Sequence, residues 1–426
     1  MMAPMSDEPQ TLESARTTTR VSAPAEPTGS GARPWVARLV VVGLVLAALN
    51  LRPAITSLGA LLEEVRTGLH MSGTVAGVLT SVPPLCFAIF GITAPRLARR
   101  FGPTAVVGAG MAAIFAGLAV RPFASGTVGF LAASALALMG IAVSNVLMPV
   151  IVKRYFPDRV GTVTGLYSMA LALGTSLAAA ATVPMTEALG GSWRTGLGVW
   201  AVLAALAVLP WLPLLRDRTT ASTRHATRSA PEAPVRITRS RTAWALAGFF
   251  GLQATGAYIT MGWMPQIFRD AGVPASTAGV LLAVTMVMGV PLAFVIPRLA
   301  TRMRTQGPIV VALGLCGLTG YLGLLLAPAA GAWAWALLLG VSNCAFPLAL
   351  TMIGMRSRTG AGVVRLSAFA QSVGYLISIP GPLLVGVLYQ HSGGWDLPLA
   401  LMAGLLIPQM IVGSLAGRDR TVEDEL

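Results

Sequence analysis

Twelve apolar runs follow one another along this chain, each close to the roughly 20 residues that a helix needs to cross the hydrocarbon core of a bilayer. They fall at 36–58, 74–95, 103–122, 126–151, 160–184, 195–215, 243–264, 276–297, 308–328, 332–354, 362–389 and 396–416. With 55% hydrophobic and only 11% charged residues, the chain has more apolar surface than a soluble interior could hide, so lipid must act as its solvent. The expected fold is an all-α membrane protein with 12 transmembrane helices.

The formal charge of +14 would suggest a nucleic-acid partner in a soluble protein. Here the basic residues sit in short clusters between apolar runs, which is a topology signal, and no nucleic acid is expected. With the N-terminus inside, the inside segments hold 25 Lys and Arg, the outside loops hold only Arg66, Arg121, Arg194 and Arg269, and Arg52 alone falls within a span away from its ends. Basic residues are retained in the cytoplasm, so both termini are expected there, with the chain multi-pass in the inner (cytoplasmic) membrane. Trp35, Trp193, Trp211, Trp244, Trp263 and Trp395 lie near the predicted helix ends, where an amphipathic ring prefers the headgroup layer.

Residues 1–35 read as a disordered cytoplasmic tail, rich in Pro, Ser, Thr and Glu. The first apolar run is taken as an uncleaved helix, because removing it would leave an odd helix count. A basic break at 216–242 reads as a cytoplasmic linker between six-helix bundles at 36–215 and 243–417, and 418–426 is a cytoplasmic tail.

The two halves repeat each other. At an offset of 202, Ala76-Gly77-Val78-Leu79 recurs as Ala278-Gly279-Val280-Leu281, and Pro95-Arg96-Leu97-Ala98-x-Arg100 recurs as Pro297-Arg298-Leu299-Ala300-x-Arg302. Ser144-Asn145-x-x-x-Pro149 likewise recurs as Ser342-Asn343-x-x-x-Pro347. Parallel repeats of this kind suit two pseudo-symmetric six-helix bundles that pivot about a central substrate site.

Gly91-x-x-x-Pro95-Arg96-x-Ala98-Arg99-Arg100, between the second and third spans, resembles the major facilitator signature G-x-x-x-D-R-x-G-R-R. It departs from the signature at Pro95, where that superfamily usually has Asp, and at Ala98. The likeness implies conformational gating by Gly91, Arg96, Arg100 and their repeats Arg298 and Arg302, and the missing acid puts the usual gate pairing in doubt. Asn50-Leu51-Arg52-Pro53-x-x-Thr56-Ser57 resembles the opening N-L-R-P-x-x-T-S of the cyanate/nitroimidazole (CynX/NimT) transporter family. That resemblance implies a transporter of small polar solutes, a monomer, and a proton as the coupling ion to consider.

The residues themselves carry chemistry. Arg52 is a permanent cation within a span, and such charges usually point at a cavity, a partner or a substrate. No Asp or Glu lies in the interior of a predicted span, which favours an anionic or electron-rich substrate. Pro53 frees a backbone carbonyl one turn earlier, so Asn50, Arg52 and Thr56 form the leading substrate element. By analogy with the superfamily, spans 1, 4, 7 and 10 line the cavity, which adds Asn145, Gln253, Tyr258 and Asn343. Asn145 and Asn343 serve equally well as packing residues in this reading. Tyr167, Ser168, Gln371, Ser372 and Tyr375 rim the same space or pack between helices, and Gly108, Gly110, Gly161 and Gly165 read as close helix contacts.

The three cysteines fall inside apolar runs without CxxC spacing, so neither disulfide nor metal is expected. There is no P-loop pattern, no cofactor and no catalytic cluster. The expected function is therefore secondary active transport of a small polar or anionic solute by alternating access. The rival is an efflux pump for drugs or for neutral or cationic metabolites such as nitroimidazoles.

Overall fold

The computed structural model describes residues 34–216 and 237–425. Most of the expected N-terminal tail and of the expected linker lies outside the described residues, and Pro34 and Trp35, expected in that tail, begin the first helix. Within the described residues every expected span is helical. Helix 1 comprises Pro34–Asn50 and Pro53–Ala60, and a short surface helix, Leu62–Gly68, follows. Helices 2 to 5 are Gly73–Phe101, Pro103–Val120, Thr127–Tyr155 and Val160–Ala188. Helix 6 is Trp193–Val208 continued by Trp211–Arg216, and helix 7 is Arg241–Asp270. Helix 8 (Ala275–Val287, Gly289–Arg302), helix 9 (Gly307–Leu326), helix 10 (Ala332–Ser342, Ala345–Met355), helix 11 (Gly360–Ser378, Pro380–Ser392) and helix 12 (Asp396–Ala416) complete the set.

Eleven of these, among the described residues, are long and apolar enough to cross a membrane on composition alone. Helix 7 is the twelfth. It carries Gln253, Gln266, Arg269 and Asp270 and is nevertheless buried along most of its length, because it runs through the centre of the protein, against helices 1 and 11.

The two halves meet through helix 2 against helix 11, helix 5 against helix 8 and helix 1 against helix 7. Twelve crossings return the chain to the side it started from, and that side is termed here the terminal face. On the opposite, far face, small residues let backbones touch, as in other membrane helix pairs. A Cβ on Gly77 would lie 2.9 Å from the Leu383 carbonyl oxygen, one on Gly279 2.5 Å from that of Ala179, one on Gly59 2.0 Å from that of Met261, and one on Gly386 2.4 Å from that of Gly73. The repeated Ala-Gly-Val-Leu motif therefore does the same job twice, seating helix 2 on helix 11 and helix 8 on helix 5.

The terminal face is looser. A cleft of about 300 Å³ separates helix 5 from helix 8, lined by Thr164, Gly165, Ser168, Gly289 and Phe294 among others. A Cβ added to Gly165 or Gly289 would meet nothing within 4 Å, so Gly165 borders this opening and does not make the helix contact its spacing suggested. Gly110 does make one, against Ser144 and the Gly140 carbonyl.

The tryptophans correct a second expectation. Trp35 and Trp244 are about half exposed, but Trp211, Trp263 and Trp193 are buried. Trp211 stands against Gly43 of helix 1, and Trp193 packs edge-on against Phe130.

At the terminal face the turn Val422–Glu425 folds back onto the second half. Glu425 accepts hydrogen bonds from the Ser240 and Thr242 hydroxyls and from the Thr242 amide, at 2.6, 2.7 and 3.0 Å. Glu423 accepts from the Ser357 hydroxyl and the Arg358 amide. Arg356 is buried beneath the turn and donates to the carbonyls of Ala416 and Gly417.

Two outcomes are expected. Partial burial pushes the Glu423 and Glu425 carboxyls up, but these hydrogen bonds outweigh it and hold both below the ordinary glutamate range. A depressed folded-state pKa contributes stability above the unfolded value of about 4.3 and loses it as pH falls through the lower folded value. Protection factors of the amides at 422–425 should therefore be high near neutrality and fall on acidification below about pH 4, whereas Glu425→Gln should lower them already at neutral pH. On the far face, Gly77→Val should wedge helices 2 and 11 apart, at a cost of about 1–3 kcal/mol for overpacking. In a background lacking the native cysteines, a cysteine at Thr80 should then react faster with an impermeant maleimide, while Gly289→Val leaves the rate unchanged.

Candidate functional site

Helix 1 breaks at Leu51–Arg52 and resumes at Pro53. Proline has no N–H to give to the carbonyl of Leu49. Helix 5 comes in over that carbonyl at Gly174, where a Cβ would lie 2.3 Å from the Leu49 oxygen. The break turns Arg52 into a cavity of about 310 Å³ between the halves, lined also by Ser168, Thr175, Gln253, Tyr258, Asn343 and Tyr375. The cavity shares Ser168, Ala172, Gly289 and Ala293 with the cleft between helices 5 and 8, so it opens toward the terminal face.

Three more breaks lie in the second half. Helix 8 is interrupted at Met288 beside Gly289, helix 10 at Asn343–Cys344, and helix 11 at Ile379 before Pro380. Gln253 on helix 7 mends the second of these, its Nε2 donating to the Asn343 carbonyl at 3.3 Å and to Asn343 Oδ1 at 3.0 Å. The Gln253 Oε1 is buried without a partner. It stands at the border between the cavity and a polar chamber of about 30 Å³ inside the second half, lined by Thr260, Tyr321, Ser342 and Gln409.

Electrostatically the cavity belongs to Arg52. Its guanidinium lies over the Phe87 ring, 5.9 Å from the centroid, and within hydrogen-bonding reach of the Tyr258 hydroxyl, which also reaches Tyr375. Phe87 and Tyr375 stack with centroids 5.0 Å apart. Among the described residues no carboxylate pairs with Arg52, because Glu63 is held by Arg66 and Glu64 by Arg269. The rest of the wall is apolar, including Met261, Met286 and Phe346.

Of the seven substrate residues expected from sequence, Arg52, Gln253, Tyr258 and Asn343 converge on this cavity. Asn50 does not: it is 1% exposed and turned the other way, its Nδ2 donating to the carbonyls of Leu46 and Leu203. Thr56 is fully buried and donates to the Arg52 carbonyl, stitching the resumed helix 1. Asn145 is half-buried on helix 4 and outside the cavity lining. The repeated serine explains the shared motif: Ser144 and Ser342 both press against a glycine of the preceding helix, Gly110 and Gly317. Ser168 and Tyr375 join the cavity, while Gln371 accounts for its amide within helix 11, donating to Ser367.

The expected gating residues Arg96, Arg100, Arg298 and Arg302 are exposed at the terminal-face ends of helices 2 and 8, and nothing approaches Gly91. The structure pairs none of them with an acid among the described residues. Charge pairing between the halves is instead on the far face. Arg269 of helix 7 donates both Nη1 and Nη2 to the Glu64 carboxylate, at 2.9 and 2.8 Å, in the bidentate geometry that strengthens such pairs. Beside it Asp270 accepts from Gln266, Tyr389 and Trp395 at 2.7, 2.9 and 2.8 Å, and Gln390 accepts from the Thr74 amide and hydroxyl. The sequence showed only unmatched outer-loop charges here, whose pairing depends on contacts about 200 residues apart.

A second arginine was also missed. Arg121 was expected in an outside loop, yet it is 1% exposed and folded into the first half, donating to the Ala54 carbonyl at 3.1 Å. The available signal was its position directly between the apolar end of helix 3 and Pro122-Phe123.

This architecture has counterparts. Residues 40–378 match the Major Facilitator Superfamily. The chain belongs to the major facilitator superfamily. It is 35% identical over 389 residues to the uncharacterized transporter YycB of Bacillus subtilis (strain 168), covering 90% of this chain and 94% of that protein. It is 33% identical to the 2-nitroimidazole transporter of Escherichia coli (strain K12), covering 90% and 96%, and 30% identical to the cyanate transport protein CynX of the same organism, covering 87% and 94%. Among solved structures, a bacterial homolog of the human lysosomal transporter Spinster, inward-facing and occupied, superposes with a TM-score of 0.68 at 17% identity over 93% of this chain and 95% of that one. The chain is thus a multi-pass membrane transporter for a small molecule and not an enzyme.

In this major facilitator the Glu64–Arg269 pair should weight the form closed at the far face. Its side chains are about a quarter exposed, so it contributes at most about 1 kcal/mol. Glu64→Arg should raise far-face reactivity of a cysteine at Thr80, and the exchanged pair Glu64→Arg with Arg269→Glu should bring it back toward the starting rate.

Proposed function

We propose that this transporter moves a small anion or an electron-rich polar solute by alternating access, with Arg52 as its principal contact. One observation carries the reading. A permanent guanidinium lines the central cavity, and no carboxylate among the described residues neutralises it. A cation so placed costs at least about 2.5–3.5 kcal/mol on insertion scales, and a bound anion or acceptor offsets that cost directly. Tyr258, Tyr375 and Gln253 add hydroxyl and amide groups around it, so a flat solute with acceptor atoms at one edge would be held by donors there and by aromatic faces on its sides.

Two of the relatives bear on the substrate. One is named a cyanate transport protein and one a 2-nitroimidazole transporter. Cyanate and a nitro group share delocalised negative character on small, flat frames, which is what Arg52 would select. Export of neutral nitroimidazole-like compounds is the second reading. The mainly apolar and aromatic wall formed by Met261, Met286, Phe346 and Tyr375 favours it.

The same proposal takes 36–215 and 243–417 as the two moving bundles and assigns the terminal face, which carries the basic clusters, to the cytoplasm. The conformation described here, closed at the far face and cleft at the terminal face, is then the inward-facing one. Arg96, Arg100, Arg298 and Arg302 stand at the margin that must close in the opposite state, and their gating role is to be sought there. Protons are the coupling ion proposed, and the monomer is the proposed functional unit.

The test is ligand-dependent thermal stability and transport, since mass action raises the melting temperature for a ligand of the folded form. Cyanate and nitrite should stabilise the wild type and not Arg52→Gln, and uptake into vesicles should fall at least tenfold in that variant, with Arg52→Lys in between. Stabilisation by 2-nitroimidazole alone, undiminished in Arg52→Gln, would instead establish the export reading and make Arg52 structural.

A further inference from the structure

Arg121 poses a problem that the central cavity does not solve. A guanidinium has five N–H donors and does not shed its proton in proteins. At Arg121, Nη1 donates to the Ala54 carbonyl and the Phe130 ring lies 5.6 Å from Cζ, but Nε and Nη2 are buried with no acceptor. Among the described residues no carboxylate pairs with it: Glu63 and Glu64 serve Arg66 and Arg269, and Asp270 serves Tyr389 and Trp395. Buried polar groups are ordinarily satisfied, and a buried charge is ordinarily compensated.

Arg121 lines a chamber of about 10 Å³, room for about one water-sized occupant. Ser134 of helix 4 lines it too, and its hydroxyl is likewise buried without a partner. Leu58, Pro83 and Leu138 supply apolar walls, and Tyr258 divides the chamber from the cavity of Arg52. Gly59, Thr80 and Gly262, which also border it, belong to the seam where the halves meet toward the far face.

We propose that Arg121 and Ser134 form a second anion site, built for one compact monovalent anion of halide size. Two guanidinium nitrogens and one hydroxyl, all buried without partners, belong to residues lining a space that admits a single small ion. The apolar walls strip that ion of water, and charge-assisted N–H donors replace the lost hydration. Among the described residues no carboxylate lines the chamber to repel an anion or to hold a cation. Access is through the seam, so the site fills when the far face parts and is occluded in the conformation described here. The chemistry and the size of the chamber suit a resident inorganic halide. The site does not depend on the Arg52 reading.

The experiment uses the full chain, purified in detergent with gluconate as the only anion, and follows thermal unfolding as bromide is added. Bromide should raise the melting temperature of the wild type saturably, and that of Arg52→Gln equally. Ser134→Ala should need severalfold more bromide for half the effect, and Arg121→Gln should show none. If Arg121→Gln does not accumulate as folded protein, the Ser134→Ala titration and the anomalous signal of bromide beside Arg121 in crystals of the wild type decide the matter. The proposal is overturned by a wild type without saturable bromide stabilisation, or by an effect undiminished in both Arg121→Gln and Ser134→Ala. Loss of cyanate binding in Arg52→Gln tests the transport reading alone.

Discussion

Inside a bilayer a backbone carbonyl or amide that leaves its helix has no water to turn to, and this constraint decides where the chain can afford irregularity. The interruptions of helices 1, 8 and 10 all have residues at or beside them in the cavity lining: Arg52, Met286 with Gly289, and Asn343 with Cys344. Each also has a local remedy or a polar exit. Gln253 covers the Asn343 carbonyl, and the Leu49 carbonyl is covered by the backbone of helix 5 at Gly174. Helices 1, 8 and 10 are broken where polar groups have a solute-sized space to face, whereas the interruptions at Leu209–Pro210 in helix 6 and at Ile379 in helix 11 lie outside the cavity lining.

The same economy organises the seam between the halves. Glycines at 59, 77, 279 and 386 bring backbone against backbone on the far face, and a bidentate ion pair with a fully engaged Asp270 closes its rim. Packing of this kind is short-ranged: opening by an ångström or two forfeits most of it at once. A seam made of close contacts and a few rim bonds thus behaves as a latch and not a spring, as the proposed alternating access requires.

Much of this was legible in the sequence. Apolar run length, basic asymmetry and the internal repeat fix the helix count and the two-bundle plan. Pro53 beside an intramembrane arginine marks the break and its cavity. What a linear reading misses is direction. Asn50, two residues before Arg52, points to helix 6 because the chain unwinds between them. Thr56 turns back on its own helix, and Trp211 and Trp263 are near helix ends yet face protein. Arg121 counts as a loop residue by position, although the turn that follows helix 3 folds it inward. The far-face pair Glu64–Arg269 and the terminal-face bonds of Glu423 and Glu425 join segments from opposite ends of the chain, and no local pattern encodes such partners.

The repeat also shows where the two halves part company. Ser144-Asn145 and Ser342-Asn343 share a sequence and share the seating of serine on glycine, but helix 4 runs unbroken through Asn145 while helix 10 breaks at Asn343. The difference lies in the neighbouring helix. Helix 7 offers the amide of Gln253 to the freed carbonyl, whereas the amide that helix 1 carries, Asn50, is spent on Leu46 and Leu203. Helix 4 has no such support for a break and stays whole. The second half consequently supplies the amides and phenols of the cavity, and the first half supplies its charge together with the hydroxyls of Ser168 and Thr175. In the proposed function, a solute bound between them touches both bundles at once, and its bonds to Arg52 on one side and to Gln253, Tyr258 or Asn343 on the other strengthen as the cleft narrows. Binding energy that depends on the distance between the halves favours closure of the terminal face around the loaded site, and an asymmetric pair of bundles can thereby couple occupancy to movement.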